Sequence, residues 1–154
     1  DLARAADTAK EISKFHPNTP IKFVEELRER NLGKLQGIKK SELGFDSDKS
    51  LILFDDESAE TLENLYNRAK KFLHEVLHKH KKDTILFVGH NGIDKALISV
   101  ITNKSPGETK KIENLKNTSI CIFTIDENKN ANTRQTAISE TITHCFFPFC
   151  FDIG

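Results

Sequence analysis

The chain has 154 residues, enough for one domain with a substantial core. Its 23 basic and 23 acidic side chains balance, so no overall field favours nucleic acid or a membrane surface as a partner. Three cysteines without metal-ligand spacing, Cys121, Cys145 and Cys150, indicate a reducing compartment, and we expect a cytoplasmic protein.

Hydrophobic periodicity predicts alternating helices and strands. In chain order they are a helix over about 1–15, a strand at 21–24, an irregular stretch at 28–57, a helix over about 58–81, a strand at 85–88, a helix over about 93–101, a linker at 103–109, a strand at 119–125 and a weaker strand over about 133–138. Ser58 or Asp56 is the candidate N-cap of the long helix. This alternation predicts an α/β sandwich with a mostly parallel sheet.

The two ends of the chain stand apart from this pattern. Residues 145–151 are strongly apolar and fit no regular element, so we divide the chain into a domain over 1–144 and an apolar tail over 145–154. The sequence contains no methionine and opens inside a predicted helix. We therefore expect that an upstream part of the protein is missing.

His90 stands where α/β sheets bind their ligands. The run 85–88 is continuous and apolar, as expected of a central strand buried on both faces, and it stops at Gly89. The next helical pattern follows Gly92 directly. His90 therefore lies in the turn at the carboxyl end of a strand, the edge at which open α/β sheets bind ligands.

Two charged residues are candidates to act with His90. Arg4 lies near the start of the first helix, where backbone N–H groups and a guanidinium attract phosphoryl oxygens. Glu29 lies between Arg28 and Arg30, and partial burial beside a phosphate would let it act as a general acid near neutral pH. The plainer interpretations are a surface arginine and a charged loop residue.

Five segments, in order, resemble the histidine phosphatase superfamily, also called the phosphoglycerate mutase-like family. They are residues 1–9 (S-D-L-x-R-A-x-x-T-A without its serine), 27–37 (L-x-E-x-x-x-G-x-x-x-G), 56–58 with Arg68 (G-E-S and a downstream arginine), 87–92 (V-S-H-G-G) and 115–120 (L-x-N-T-S-I). Asp56 and Asn91 stand where the family usually has glycine. Each segment alone is weak, but five in order at plausible spacing are specific.

The resemblance implies a three-layer α/β/α sandwich and transfer of a phosphoryl group from a phosphomonoester to a histidine, then to water or another acceptor. At the matching positions, Arg4 would hold the phosphoryl group, His90 and the backbone N–H of Asn91 would donate to its oxygens, and Glu29 would protonate the leaving oxygen. Arg68 would be structural. The resemblance implies neither metal nor cofactor. The expected partner is a small phosphorylated metabolite, with neither nucleic acid nor membrane, and a homodimer is compatible with the family.

The family's nucleophile is missing from this sequence. It is the histidine of an R-H-G motif on the first strand, and none of the six histidines here stands between arginine and glycine. We therefore expect the first strand to be missing, and the 154-residue chain to be inactive and poorly stable on its own.

Three other functions remain open besides a phosphomonoester hydrolase. A cofactor-dependent phosphoglycerate mutase is less favoured, because only 19 residues separate Gly37 from Glu57, where such mutases carry a long insert. A non-catalytic phosphate-binding or regulatory module would have kept the pocket and lost the nucleophile. An unrelated α/β binding domain with a structural His90 would need a strand-end aspartate cluster near the N-terminus, which the sequence does not have.

Overall fold

The computed structural model describes residues 1–39, 42, 57–115, 119–125, 131–136 and 148–152. The helices are α1 (Ala3–Ser13), α2 (Leu62–Lys79) and α3 (Asn91–Ile101), with short 3₁₀ turns at Glu25–Leu27, Gly33–Leu35 and Pro106–Lys111. The strands are β1 (Thr84–Val88), β2 (Ile120–Ile125), β3 (Ala131–Thr136) and β4 (Pro148–Asp152). The predicted α/β class is confirmed.

The four strands form one sheet in the order β1-β4-β2-β3. β4 pairs antiparallel with β1, with Val88 opposite Pro148, and parallel with β2, with Cys121 opposite Phe149. β3 pairs antiparallel with β2. One of these three pairings is parallel, so the predicted mostly parallel, three-layer sandwich is not confirmed. Two antiparallel pairings cause the difference: β3 pairs with β2, and β4, from the segment predicted as an apolar tail, enters the sheet between β1 and β2 and pairs antiparallel with β1.

The core lies between one face of the sheet and the helices α2 and α3. Phe72 of α2 packs against Phe87 of β1 with ring centroids 5.2 Å apart. Burying each such side chain contributes about 1.5–3 kcal/mol. Cys121 is buried among them, as predicted for a small core residue. The buried core consists of Leu27, Leu65, Ala69, Phe72, Leu73, Phe87, Ile93, Ala96, Leu97, Ile101, Cys121, Phe123 and Ile125.

Two strand predictions are wrong. β1 is not buried on both faces, since Leu86, on the face opposite Phe87, is 40% exposed. Side chains alternate along a strand, and α2 and α3 pack on the Phe87 face. Residues 21–24 form no strand, and Ile21 and Phe23 are 41% and 48% exposed. High β-propensity forms a strand only where a partner strand and a packing surface are available.

The N-cap of α2 also differs from the prediction. Thr61 is extended, and its hydroxyl accepts a hydrogen bond from the backbone N–H of Asn64 at 3.1 Å. The hydroxyl of Ser58 instead accepts from the backbone N–H of Lys34 at 3.0 Å. Asp56, the other candidate, lies outside the described residues. The helix therefore begins one turn later than the sequence pattern indicated.

Within the described part of the chain, no helix is both long and apolar enough to cross a membrane.

Replacing the α2 cap tests this boundary. Thr61→Ala removes the acceptor for the Asn64 N–H, and we expect the free energy of unfolding to fall by about 1 kcal/mol. Thr61→Ser keeps a hydroxyl at the same place and should retain most of the stability. Urea denaturation followed by circular dichroism measures both. Equal loss in the two variants would show that the hydroxyl is not the cap.

Candidate functional site

His90 closes the turn between β1 and α3. Its backbone is extended, with φ −140° and ψ 159°, and it is the N-cap residue of α3. Its carbonyl accepts the first helical hydrogen bond, from the N–H of Asp94 at 2.9 Å. The residue is only 7% exposed. The imidazole therefore stands at the positive end of the α3 dipole, as the strand-to-helix pattern predicted.

The environment of His90 favours the neutral imidazole. Burial lowers the pKa of His90, the nearby Glu29 carboxylate opposes that effect, and the positive charge of Arg4 lowers the pKa further. A cation beside a buried imidazole makes a second positive charge costly. An arriving phosphate dianion would reverse this balance, because it compensates both positive charges. The three residues predicted to act together are thus electrostatically linked.

Glu29 reaches the start of α3 from a distant loop. One carboxylate oxygen accepts from the backbone N–H of Gly92 at 3.1 Å, and the other accepts from the N–H of Arg30 at 2.8 Å. The side chain is partly buried. A Cβ at position 92 would lie 2.2 Å from the Glu29 carboxylate, so this approach requires glycine there. The loop acid and the helix N-terminus form one unit.

An ion pair holds the loop that carries Glu29, which together with Arg4 and His90 we call the pocket. The guanidinium of Arg68 donates to both carboxylate oxygens of Glu60, at 3.0 and 2.8 Å. It also donates to the carbonyls of Glu26 and Arg28, at 2.7 and 3.0 Å. Buried Arg30 donates to the carbonyl of Glu60 at 2.6 Å. Arg68 therefore has the structural role expected for it.

Arg4 lies in the first turn of α1 and is exposed. Arg28 forms an ion pair with Asp1, just before α1, and its Nε donates to the Asp1 carboxylate at 2.8 Å. This ion pair connects the loop that carries Glu29 to the N-terminus of the helix that carries Arg4. Exposure leaves the guanidinium of Arg4 accessible to an anion from solution.

The side chain of Asn91 makes structural hydrogen bonds, and its backbone N–H lies in the first turn of α3. Its amide group donates to the Asn114 side chain at 3.3 Å and accepts from the backbone N–H of Leu115, also at 3.3 Å. The side chain thus fastens the loop at 114–115 to α3. Its backbone N–H belongs to the first turn of α3, where N–H groups have no partner within the helix. The prediction that this N–H binds substrate stays a prediction.

Two buried charged residues of α3, Asp94 and Lys95, were not predicted from the sequence. Asp94 is fully buried, and neither carboxylate oxygen has a hydrogen-bond partner among the described residues. Lys95 is 1% exposed, and its ammonium donates to Asn114 at 2.7 Å. Neighbouring residues give no specific signal for this burial, because it depends on which elements cover each side of α3.

Burial changes the protonation of these groups. It raises the pKa of Asp94 well above its ordinary value, and the Glu29 carboxylate raises it further. Burial also raises the pKa of the Cys121 thiol, with an added contribution from Asp94. Burial lowers the pKa of Lys95, and Glu29 opposes that effect. Cys121 is therefore a neutral core thiol and no candidate nucleophile.

Comparison with known proteins defines the class of protein. The family model of the histidine phosphatase superfamily (branch 1) matches residues 1–137. The chain is 28% identical over 131 residues to phosphoglycerate mutase-like protein 4 of Arabidopsis thaliana, covering 80% of this chain and 55% of that protein. It is 29% identical over 113 residues to metal-independent phosphoserine phosphatase of the same plant, covering 68% and 48%. No solved structure matches the chain significantly.

The chain belongs to the histidine phosphatase superfamily, and the resemblance in its sequence motifs is confirmed. Within that superfamily it falls in branch 1. It spans about half the length of the curated relatives it matches.

The electrostatic link between the three residues can be tested by nuclear magnetic resonance. Glu29→Gln removes the charge that raises the pKa of His90, so that pKa should fall. Arg4→Gln removes a charge that lowers the pKa of His90, so that pKa should rise. A pH titration of the His90 ring protons measures both. Glu63→Gln, on exposed α2 surface, is the control and should leave the value unchanged. Shifts of the same sign in the two variants would contradict the arrangement.

The buried carboxyl of Asp94 should destabilise the fold as the pH rises. Its folded pKa is raised, so above the ordinary value of 3.8 the unfolded chain releases a proton that the folded chain retains. This destabilisation is absent below that pH. Above it, the free energy of unfolding falls by about 1.4 kcal/mol for each pH unit, until the pH reaches the pKa of Asp94 in the folded protein. Asp94→Asn cannot ionise, so its stability advantage over the wild type should increase with pH.

Urea denaturation of both chains between about pH 3.5 and 8 measures this difference. Glu113→Gln, at an exposed position, is the matched control and should show no such trend. A constant difference between Asp94→Asn and the wild type would mean that Asp94 is solvated or paired in the folded protein.

Proposed function

We propose that this chain carries the phosphate-binding part of a phosphomonoester hydrolase of the histidine phosphatase type. The supporting observation is that Arg4 and Glu29, both far from His90 in sequence, act on the charge of His90 at the N-terminus of an eleven-residue helix. A helix N-terminus with a guanidinium and an imidazole suits a phosphoryl group. The substrate would be a small phosphorylated metabolite, and the setting the cytoplasm.

Each residue has a distinct part in the proposed reaction. Arg4 and His90 bind the phosphoryl oxygens and stabilise the charge that builds up on them in the transition state. The backbone N–H of Asn91 adds a further donor. Glu29 gives a proton to the leaving oxygen as the bond to phosphorus breaks.

The phosphoryl group would pass to a histidine that these 154 residues do not provide. In the family that histidine follows an arginine and precedes a glycine, and the sequence has no such triplet. In the whole protein, attack by that histidine would form a phosphohistidine, and water would then release inorganic phosphate. The complete domain would be the three-layer, mostly parallel sandwich of the family.

A second function, a non-catalytic phosphate-binding or regulatory module, applies if the whole protein has no such triplet. That function uses Arg4 and His90 without any covalent step. The mutase-like name of one relative supports a third, phosphoglycerate mutase, in which the acceptor is a second phosphorylated metabolite and not water. The 19 residues between Gly37 and Glu57 favour the hydrolase over the mutase.

Phosphate binding tests the pocket without requiring turnover. Inorganic phosphate added to the chain should shift the ring signals of His90 and raise its pKa, since a bound dianion stabilises the imidazolium. Arg4→Gln should weaken binding about tenfold or more, the value of one charge-assisted hydrogen bond. Lys10→Gln, which removes an exposed cation from the same helix, is the matched control and should have little effect. If both variants weakened binding equally, phosphate would be held only by nonspecific attraction to positive charge, and the specific role of Arg4 would be contradicted.

A turnover assay addresses the absent nucleophile. With p-nitrophenyl phosphate we expect no release of p-nitrophenol above background from the 154-residue chain. Robust turnover that His90→Ala abolishes would overturn this expectation and require a nucleophile within the chain.

A further inference from the structure

Helix α2 carries an H-E-x-x-H sequence that the phosphate pocket does not use. The residues are His74, Glu75, Val76, Leu77 and His78. Residues four apart lie one above the other on a helix, with Cβ atoms about 5–6 Å apart. On a helix this spacing is the one with which zinc hydrolases direct two imidazoles at one metal ion.

The structure presents this pair to solvent on a firmly anchored turn. His74, Glu75 and His78 are exposed and line one surface depression together with Lys79. Val76 and Leu77, between the two histidines, pack against the buried core on the other side of the helix. Because the core fixes the backbone here, the two imidazoles keep their separation without help from a ligand. The ordering that a chelate needs is largely provided by the fold.

The donor set selects a class of ion. Two imidazoles suit Cu²⁺, Ni²⁺ and Zn²⁺, while Mg²⁺ and Ca²⁺ prefer oxygen ligands. Metal–nitrogen bonds of about 2.0–2.1 Å can be made by both rings at once across one helical turn. The Glu75 carboxylate favours a dication in the depression, and the Lys79 ammonium opposes it.

The same residues limit what the ion could do. Among the described residues, no group of three or more histidine, cysteine, aspartate or glutamate side chains is placed to hold a metal ion. A two-imidazole site is completed by water. The zinc hydrolases to which the spacing belongs need a third protein ligand and an enclosed cleft, so hydrolysis is not part of the inference.

We propose that His74 and His78 form a surface chelate for one late first-row divalent metal ion, with Cu²⁺ bound more tightly than Ni²⁺ or Zn²⁺. This site would be separate from the phosphate pocket and independent of its function. A metal bound there clamps the last turns of α2, whose other face contributes Leu65, Ala69, Phe72 and Leu73 to the core. Binding should therefore stabilise the whole fold.

Calorimetric titration of the 154-residue chain with CuCl₂ and ZnCl₂ tests the proposal. We expect one tight equivalent per chain and no uptake of Mg²⁺. His74→Ala and His78→Ala should each weaken that equivalent about tenfold or more, because the second imidazole acts at a high effective concentration. Both positions are exposed, so circular dichroism should show unchanged folding. Zn²⁺ should raise the melting temperature of the wild type and not that of His74→Ala.

Two control histidines and two charge variants sharpen the result. His16→Ala, at an exposed position after α1, and His80→Ala, which pairs with Asp83, should leave the affinity unchanged. Glu75→Gln should weaken binding about twofold to threefold, and Lys79→Gln should strengthen it by a similar factor. The absence of a saturable equivalent, or equal loss in the His16→Ala and His74→Ala chains, would overturn the proposal.

Discussion

The ion pair between Arg68 and Glu60 is the constraint on which the pocket depends. One guanidinium holds a carboxylate at the entrance to α2 and two carbonyls of the loop before Glu29. Both side chains are largely withdrawn from solvent, with 24% and 16% exposed. Leaving either charge unpaired there would be costly. This pair fixes the loop and thereby sets where the Glu29 carboxylate meets α3.

Once that loop is fixed, opposing charges act on His90 at the N-terminus of α3. Glu29 attracts the proton of His90, and Arg4 repels it. Glu29 also acts on Asp94 and Lys95, which lie deeper in the protein. One carboxylate thus acts on His90, Asp94 and Lys95. A phosphoryl dianion entering the pocket would change the protonation preferences of the whole set together, and not those of one residue alone.

The sequence predicted best those features that depend on local periodicity. The apolar stripes of α2 and α3 and the position of His90 between strand and helix followed from spacing alone. The strand at residues 21–24 failed because propensity without a partner strand does not form a sheet. The cap moved to Thr61 because Ser58 is engaged by another loop. The burial of Asp94 could not be seen from its neighbours in sequence, since it depends on which elements cover every side of α3.

The position of β4 in the sheet has a consequence for how the protein reaches its fold. β1 and β2 are joined only through β4, whose residues are the last of the described chain. The sheet therefore becomes continuous only when residues 148–152 pair with residues 84–88, across 59 intervening residues. Such distant pairing carries a large loop-closure cost and slows folding. Until it forms, the edge of β1 that faces β4 is unpaired, which makes early folding intermediates prone to association through that edge.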